Sequence, residues 1–121
     1  MMIRGVRGAT TVERNEHDEI VEQSYQLLQD VIASNHIEAN EVVSVYFTVT
    51  EDLNDAFPAK SLRKIDGWTY VPVMCMREIP VPGSLEKCIR VMVTVQTDIA
   101  QKDIQHIYHN HAKQLRPDLK S

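Results

Sequence analysis

Hydrophobic residues alternate with others from Cys88 to Gln96. Ile89, Val91, Val93 and Val95 fall on one side of an extended chain, and Cys88, Arg90, Met92 and Thr94 on the other. That period of two predicts a strand with one core face. Val42 to Val49 repeats it, with Val43, Val45, Phe47 and Val49 alternating with Val42, Ser44, Tyr46 and Thr48. Ile3 to Val12 reads as a first strand broken by Gly5 and Gly8. Trp68 to Met76 reads as a third, before the turn signal Pro80-Val81-Pro82-Gly83. A glycine in a strand marks a bulge or a close approach to the backbone, and Arg7 shares the thinned face of Gly5.

The period lengthens to that of a helix in two places. Asn15 can cap a helix whose apolar face carries Ile20, Val21, Leu27, Leu28, Val31 and Ile32, with Glu19, Glu22, Gln26 and Asp30 outside. Ser34-Asn35-His36 ends it. A final helix is predicted from about Gln101 to Leu115, presenting Ile104, Ile107, Tyr108, His111 and Leu115. Asp52 to Ile65 reads as a short helical connection interrupted by Pro58, with Lys60, Arg63 and Lys64 close together. No repeat, low-complexity segment or linker divides the chain, so residues 1–121 read as one domain. The mixture predicts an α+β fold with helices packed on one face of a mixed sheet.

At 121 residues, 43% hydrophobic and 25% charged, the chain is long enough for one real core. No apolar run approaches the length of a bilayer span, and Met1-Met2-Ile3-Arg4-Gly5 lacks the apolar stretch of a signal peptide. The cytoplasm is therefore the expected compartment, and a membrane is not an expected partner. Cys75 and Cys88 make neither a disulfide framework nor a zinc knuckle. The net charge of −4 argues against nucleic acid as the main partner, because phosphate binding needs a basic face. Any anion site must then gather its basic residues locally.

Arg90 is the charge this pattern makes conspicuous. A guanidinium in an otherwise apolar strand must be paired, solvated or bound to an anion. Arg7 is also a strand residue, and if the two strands are neighbours their guanidiniums can converge on one carboxylate-bearing ligand. Lys60, Arg63 and Arg116 lie in loops or near the terminus, where solvated charge is ordinary. Read alone, Cys75 is a small buried hydrophobe and Glu78 a solvated loop acid. Tyr108, on an apolar face, needs a partner for its hydroxyl if it is buried.

His106 and His109 would share a helical face, but His111 points about 200° away from His109. No Cys or acidic ligand completes a metal set. Neither a metal nor a cofactor is expected. There is no Gly-rich phosphate loop, no G-x-S-x-G and no paired-carboxylate signature. What remains is charge placement without an evident acid, base or nucleophile.

Five segments carry a further signal: Ile3-Arg4-Gly5-Val6-Arg7-Gly8-Ala9-Thr10-Thr11-Val12, Phe57-Pro58-Ala59-Lys60, Gly67-Trp68-x-Tyr70-Val71-Pro72-Val73, the run from Cys88 to Asp98, and Leu115-Arg116-Pro117-Asp118-Leu119. In order and spacing they closely resemble the monofunctional chorismate mutases of the Bacillus type (AroH class). The resemblance implies a ferredoxin-like α+β sheet, three copies of which pack into a pseudo α/β-barrel homotrimer with sites at the subunit interfaces. It implies conversion of chorismate to prephenate in aromatic amino-acid synthesis, an intramolecular Claisen rearrangement that needs no proton transfer. The family's functional positions fall on Arg7, Phe57, Ala59, Lys60, Arg63, Val73, Met74, Cys75, Glu78, Arg90, Tyr108, Leu115 and Arg116. By resemblance, Arg90 donates to the ether oxygen and Arg7 and Tyr108 hold the side-chain carboxylate. Glu78 and Cys75 bond the ring hydroxyl. Phe57, Val73 and Leu115 form apolar walls, and Lys60, Arg63 and Arg116 attract the dianion. Met74 departs from the pattern, where a small polar residue, usually Thr, is expected.

Two other classes share features with this reading. A RidA-like imine deaminase would also hold a carboxylate with an interface Arg, and would release ammonia from an imino acid. A non-catalytic trimer that senses a dicarboxylate would bind chorismate without converting it.

Overall fold

Five strands form one mixed sheet in the order β3-β2-β4-β1-β5: β1 (Met2–Thr11), β2 (Val42–Val49), β3 (Val73–Arg77), β4 (Cys88–Thr97) and β5 (Ile107–Tyr108). The computed structural model describes residues 1–116, so Pro117, Asp118 and Leu119 of the last motif lie outside the described residues. β4 is antiparallel to both β1 and β2, while β2 pairs β3 and β1 pairs β5 in parallel. The alternation in β4 is realised directly. Ile89, Val91, Val93 and Val95 are buried, and Arg90 and Met92 are exposed on the reverse face. In β2 the register shifts between Val42 and Ser44, which leaves Val43 exposed while Val45 and Phe47 stay in the core.

The helix α1 (His17–Asn35) lays Ile20, Leu27, Leu28 and Val31 against one sheet face, where they meet Val6, Val45, Phe47, Ile89 and Val93. Asn15 does not cap it. The Asn15 Oδ1 accepts the backbone N–H groups of Asn54 and Asp55 instead (3.0 and 3.1 Å), tying the chain before α1 to a later loop. At the other end His36 takes a left-handed conformation (φ 52°) and its N–H returns to the Ile32 carbonyl.

α1 sits close to β1 because of Gly8. A Cβ there would lie 3.0 Å from Val91 Cγ1, 3.1 Å from Leu27 Cδ1 and 3.2 Å from Val31 Cγ2. Gly8→Ala is expected to destabilise by about 1–3 kcal/mol, since three buried neighbours must move together. Gly5→Ala meets only the flexible Met92 thioether at 3.1 Å and should cost less. Urea titration of the two variants checks the ranking; equal midpoints would show that the helix yields.

Three expectations are corrected. The helix predicted over Gln101–Leu115 does not form. A 3-10 turn (Gln101–Asp103), β5 and a second 3-10 turn (Asn110–Gln114) take its place. The outer edge of β1 has backbone groups needing partners, and residues 107–109 supply them, with the His109 N–H on the Ala9 carbonyl at 2.8 Å. The third strand starts at Val73 rather than Trp68. Pro72 has no N–H to give, and Trp68 is buried at a turn in which the Val71 N–H reaches its carbonyl. Within 52–65 only Pro58–Lys64 is helical, as 3-10, and Pro58 opens this segment rather than interrupting it.

The fold is α+β, but its connectivity departs from a ferredoxin-like β-α-β-β-α-β chain. The second helical connection, Pro58–Lys64, joins the parallel pair β2 and β3, and no helix lies between β3 and β4. Only one sheet face is covered by α1. The other presents Tyr46, Met74, Met76 and Met92, which are 38%, 59%, 41% and 38% exposed. Among the described residues no helix is long and apolar enough to cross a membrane.

Candidate functional site

The sheet register assembles charges on this uncovered face. Arg90 lies opposite Ala9 on β1 and opposite Thr48 on β2, so it occupies the middle of the sheet. Arg7, two residues before Ala9, pairs with Met92 and shares the face. Tyr108 is the β5 partner of Ala9, placing it one strand beyond Ala9 and two strands from Arg90. The two strand arginines are thus on adjacent strands, as their convergence requires.

Glu78 follows β3 and is tied to β2 by its own N–H, 2.9 Å from the Val49 carbonyl. Its carboxylate accepts from the Thr48 hydroxyl and meets Arg90 Nε at 3.3 Å. Glu78 therefore orients the guanidinium from one edge, and the Arg90 side chain stays half exposed. These groups line a cavity of about 500 Å³ together with Tyr46, Met76, Met92, Leu115 and Arg116. Among the described residues that line it, three guanidiniums stand against one carboxylate, the opposite balance to that of the whole chain. It fits a compact anion with apolar parts.

The remaining predicted residues are not brought here. Cys75 pairs with the core residue Phe47, on the helix side of the sheet. It lines a second cavity of about 580 Å³ with Phe57 and Lys60. Burial pushes its thiol above the ordinary range, against a smaller opposing effect of the Ala59 N–H that it accepts. Phe57, Ala59, Lys60, Arg63 and Val73 line a third cavity of about 590 Å³. Lys60 Nζ lies 3.1 Å from His17 Nε2. Met74 is exposed on the uncovered face, opposite Tyr46. Within one chain, Cys75 and Glu78 are therefore not neighbours around a common ligand.

Neither thiol offers a nucleophile. Cys88 is buried next to Arg90, and its pKa is pushed up to about 11 by burial, which outweighs the guanidinium's opposite pull. The histidines are dispersed rather than aligned on a helix. His106 Nδ1 accepts the Arg7 N–H at 2.9 Å, His109 Nε2 meets Asp30 at 2.6 Å, and His111 Nε2 lies 3.9 Å from Glu13. Among the described residues no three His, Cys, Asp or Glu side chains are grouped to hold a metal ion. Thr48, Tyr46 and Met92 are lining residues that the sequence did not single out. The alternation of β2 and β4 was sufficient to put all three on the face of Arg90.

Comparisons with known proteins agree with one another. A family profile described as chorismate mutase type I matches residues 3–119. Chorismate mutase AroH of Bacillus subtilis is 53% identical over 119 residues, which is 98% of this chain and 94% of that protein. Chorismate mutase AroH of Thermus thermophilus is 46% identical over 121 residues, 99% of this chain and 98% of that protein. A solved chorismate mutase from Clostridium thermocellum superposes with a TM-score of 0.87 at 53% identity. It covers 90% of this chain and 96% of its own.

Proposed function

The chain belongs to the chorismate mutase type I family and is a chorismate mutase, an isomerase of aromatic amino-acid biosynthesis; we propose that it rearranges chorismate to prephenate at a site built from two subunits of a homotrimer. The observation that carries this reading is the convergence of Arg7, Glu78, Arg90, Tyr108 and Arg116 in one cavity. The Claisen rearrangement breaks an ether C–O bond as a C–C bond forms within one molecule, and it moves no proton. A site without acid, base or nucleophile suits it. Catalysis then comes from holding the compact conformer and stabilising charge as it develops.

Bond breaking runs ahead of bond making, so the ether oxygen gains negative charge and the ring becomes relatively positive. Arg90 donates to that oxygen and to a carboxylate, and Glu78 fixes its Nε edge while favouring the positive ring. Arg7 and Tyr108 hold the side-chain carboxylate, and Arg116 adds charge for the dianion. Leu115 supplies an apolar wall.

The second set comes from a neighbouring subunit: Phe57 and Val73 as walls, Lys60 and Arg63 as cations, Cys75 beside the ring hydroxyl, with Ala59 and Met74 close by. Two observations support this division. Phe57, Ala59, Lys60, Arg63, Val73 and Cys75 line cavities other than that of Arg90, and the sheet face bearing Arg90 exposes Tyr46, Met74, Met76 and Met92. Monomeric proteins rarely leave such an apolar patch uncovered. A head-to-tail contact that closes after three copies buries it and gives three equivalent sites, with the three sheets forming a pseudo α/β-barrel. Met74 replaces a side-chain hydroxyl with a thioether, so only its backbone is left to bond the substrate. Cys75 and Cys88 are unpaired, in keeping with a reducing cytoplasm.

The test is the loss of chorismate's ultraviolet absorbance with purified protein, with prephenate identified as the product and the species sized by sedimentation. Turnover by a trimer is expected. An active monomer would remove the two-subunit site, and no turnover would remove the reaction.

A further inference from the structure

We propose that His106 is a positioning residue for this site, its neutral imidazole fixing the edge of β1 at Arg7 and docking the short strand that carries Tyr108. The inference rests on the reading of Arg7 and Tyr108 as the carboxylate grip. It begins at the end of α1. The buried Asn35 holds the backbone of Gln105 twice, its Nδ2 donating to the Gln105 carbonyl (2.9 Å) and its Oδ1 accepting the Gln105 N–H (2.8 Å). The next residue presents Nδ1 to the Arg7 N–H at 2.9 Å. Backbone pairing with β1 then takes over at Ile107 and Tyr108, and the His109 N–H closes on Ala9.

The His106 ring thus stands in for the strand partner that β5 is too short to provide. Without it, the N–H of Arg7 lies at a free sheet edge. The bond also fixes the chemistry of the ring. An accepting Nδ1 carries no proton, so the neutral tautomer is the one protonated at Nε2. Burial, Arg7 on β1 and Arg116 beyond the last turn all disfavour the imidazolium, which lowers the His106 pKa below its ordinary value of 6.5.

The sign follows. A group with a depressed folded pKa contributes fully above its unfolded value, near 6.5, and loses that contribution as pH falls toward the lower folded value. Protonation removes the acceptor and adds a third positive charge beside Arg7 and Arg116. The prediction is a rise in KM for chorismate only as pH falls through the depressed folded-state value of His106, below the ordinary 6.5, with kcat less affected.

Three variants separate the possibilities. His106→Asn keeps an acceptor at the position of Nδ1 and cannot gain charge, so it should bind chorismate within about threefold of wild type and lose the acid limb of KM. His106→Leu keeps the bulk without the acceptor and should raise KM about tenfold or more at every pH, with the acid limb lost as in the Asn variant. Nitrogen-15 chemical shifts of the imidazole in the wild type should report Nδ1 as unprotonated at neutral pH, a readout that does not use activity. Arg7→Ala is the control for the underlying reading. If it leaves KM unchanged, the carboxylate grip is wrong and this inference goes with it. If Arg7→Ala raises KM while His106→Leu and the acid limb do not differ from wild type and His106→Asn respectively, the grip stands and the role of His106 is refuted. Should His106→Leu fail to fold, the imidazole shifts and the Asn variant's pH profile decide alone.

Discussion

Arg90→Ala should lower kcat/KM by more than about 10³-fold and leave the fold intact. Removing one neutral donor to a developing oxyanion costs about 10²–10³ in rate, and a charged donor counts for more. The reaction offers nothing to compensate, since no acid, base or nucleophile shares the work. The loss should fall mainly on kcat, because the ether oxygen becomes strongly anionic only in the transition state. Stability should change little. The Arg90–Glu78 contact is half exposed on the arginine side, and such pairs contribute about 0–1 kcal/mol. Glu78 keeps its Thr48 bond when Arg90 is gone.

Arg90→Lys separates charge from geometry. An ammonium restores the positive charge but is a compact point, whereas the guanidinium meets Glu78 through Nε and has a planar fork beyond it. We expect the Lys variant to recover less than a tenth of the lost activity. Steady-state kinetics on chorismate, beside far-ultraviolet circular dichroism, reads both effects. Near-wild-type turnover by Arg90→Lys would refute the geometric requirement, and a loss under tenfold in Arg90→Ala would refute the electrostatic one.

Arg90 was legible because periodicity is strong where it sits. In β4 the apolar residues at every second position leave no other reading, and Arg90 interrupts the remaining face. The segment 101–115 was not legible for the opposite reason. Its apolar spacing suits a helix, but its backbone partner is the open edge of β1, nearly a hundred residues away in sequence. Local pattern carries no information about a vacant edge. The side of the sheet that Cys75 takes was readable from the same alternation. Along an extended chain, residues three apart face opposite ways, so Cys75 shares a side with Val73 and Arg77, while Met74, Met76 and Glu78 share the other. The family resemblance joined Cys75 and Glu78 around one ligand, and alternation through β3 argues against that within one subunit. Put together, the two statements support the proposed site between two chains.

That conclusion makes a quantitative prediction for mixed oligomers. Arg90→Ala disables the first set of residues, and Lys60→Ala with Arg63→Ala disables the second; each homotrimer should be nearly inactive. In a ring with heterologous contacts, each site takes its first set from one subunit and its second from the next. With equal amounts of the two chains assembled at random, half of the subunits bring an intact first set, and half of their neighbours bring an intact second. About a quarter of the sites are then whole, so co-expressed variants should recover about a quarter of wild-type turnover. The expected figure follows from the arrangement alone and does not depend on how much each residue contributes. Separately tagged subunits, mixing verified by native mass spectrometry, and the chorismate assay provide the measurement. A site contained within one subunit predicts no recovery at any ratio, because every chain carries one disabling change. Recovery far below a quarter in trimers proven to be mixed would therefore place all the residues of the site in a single chain, and would require the uncovered sheet face to have another purpose.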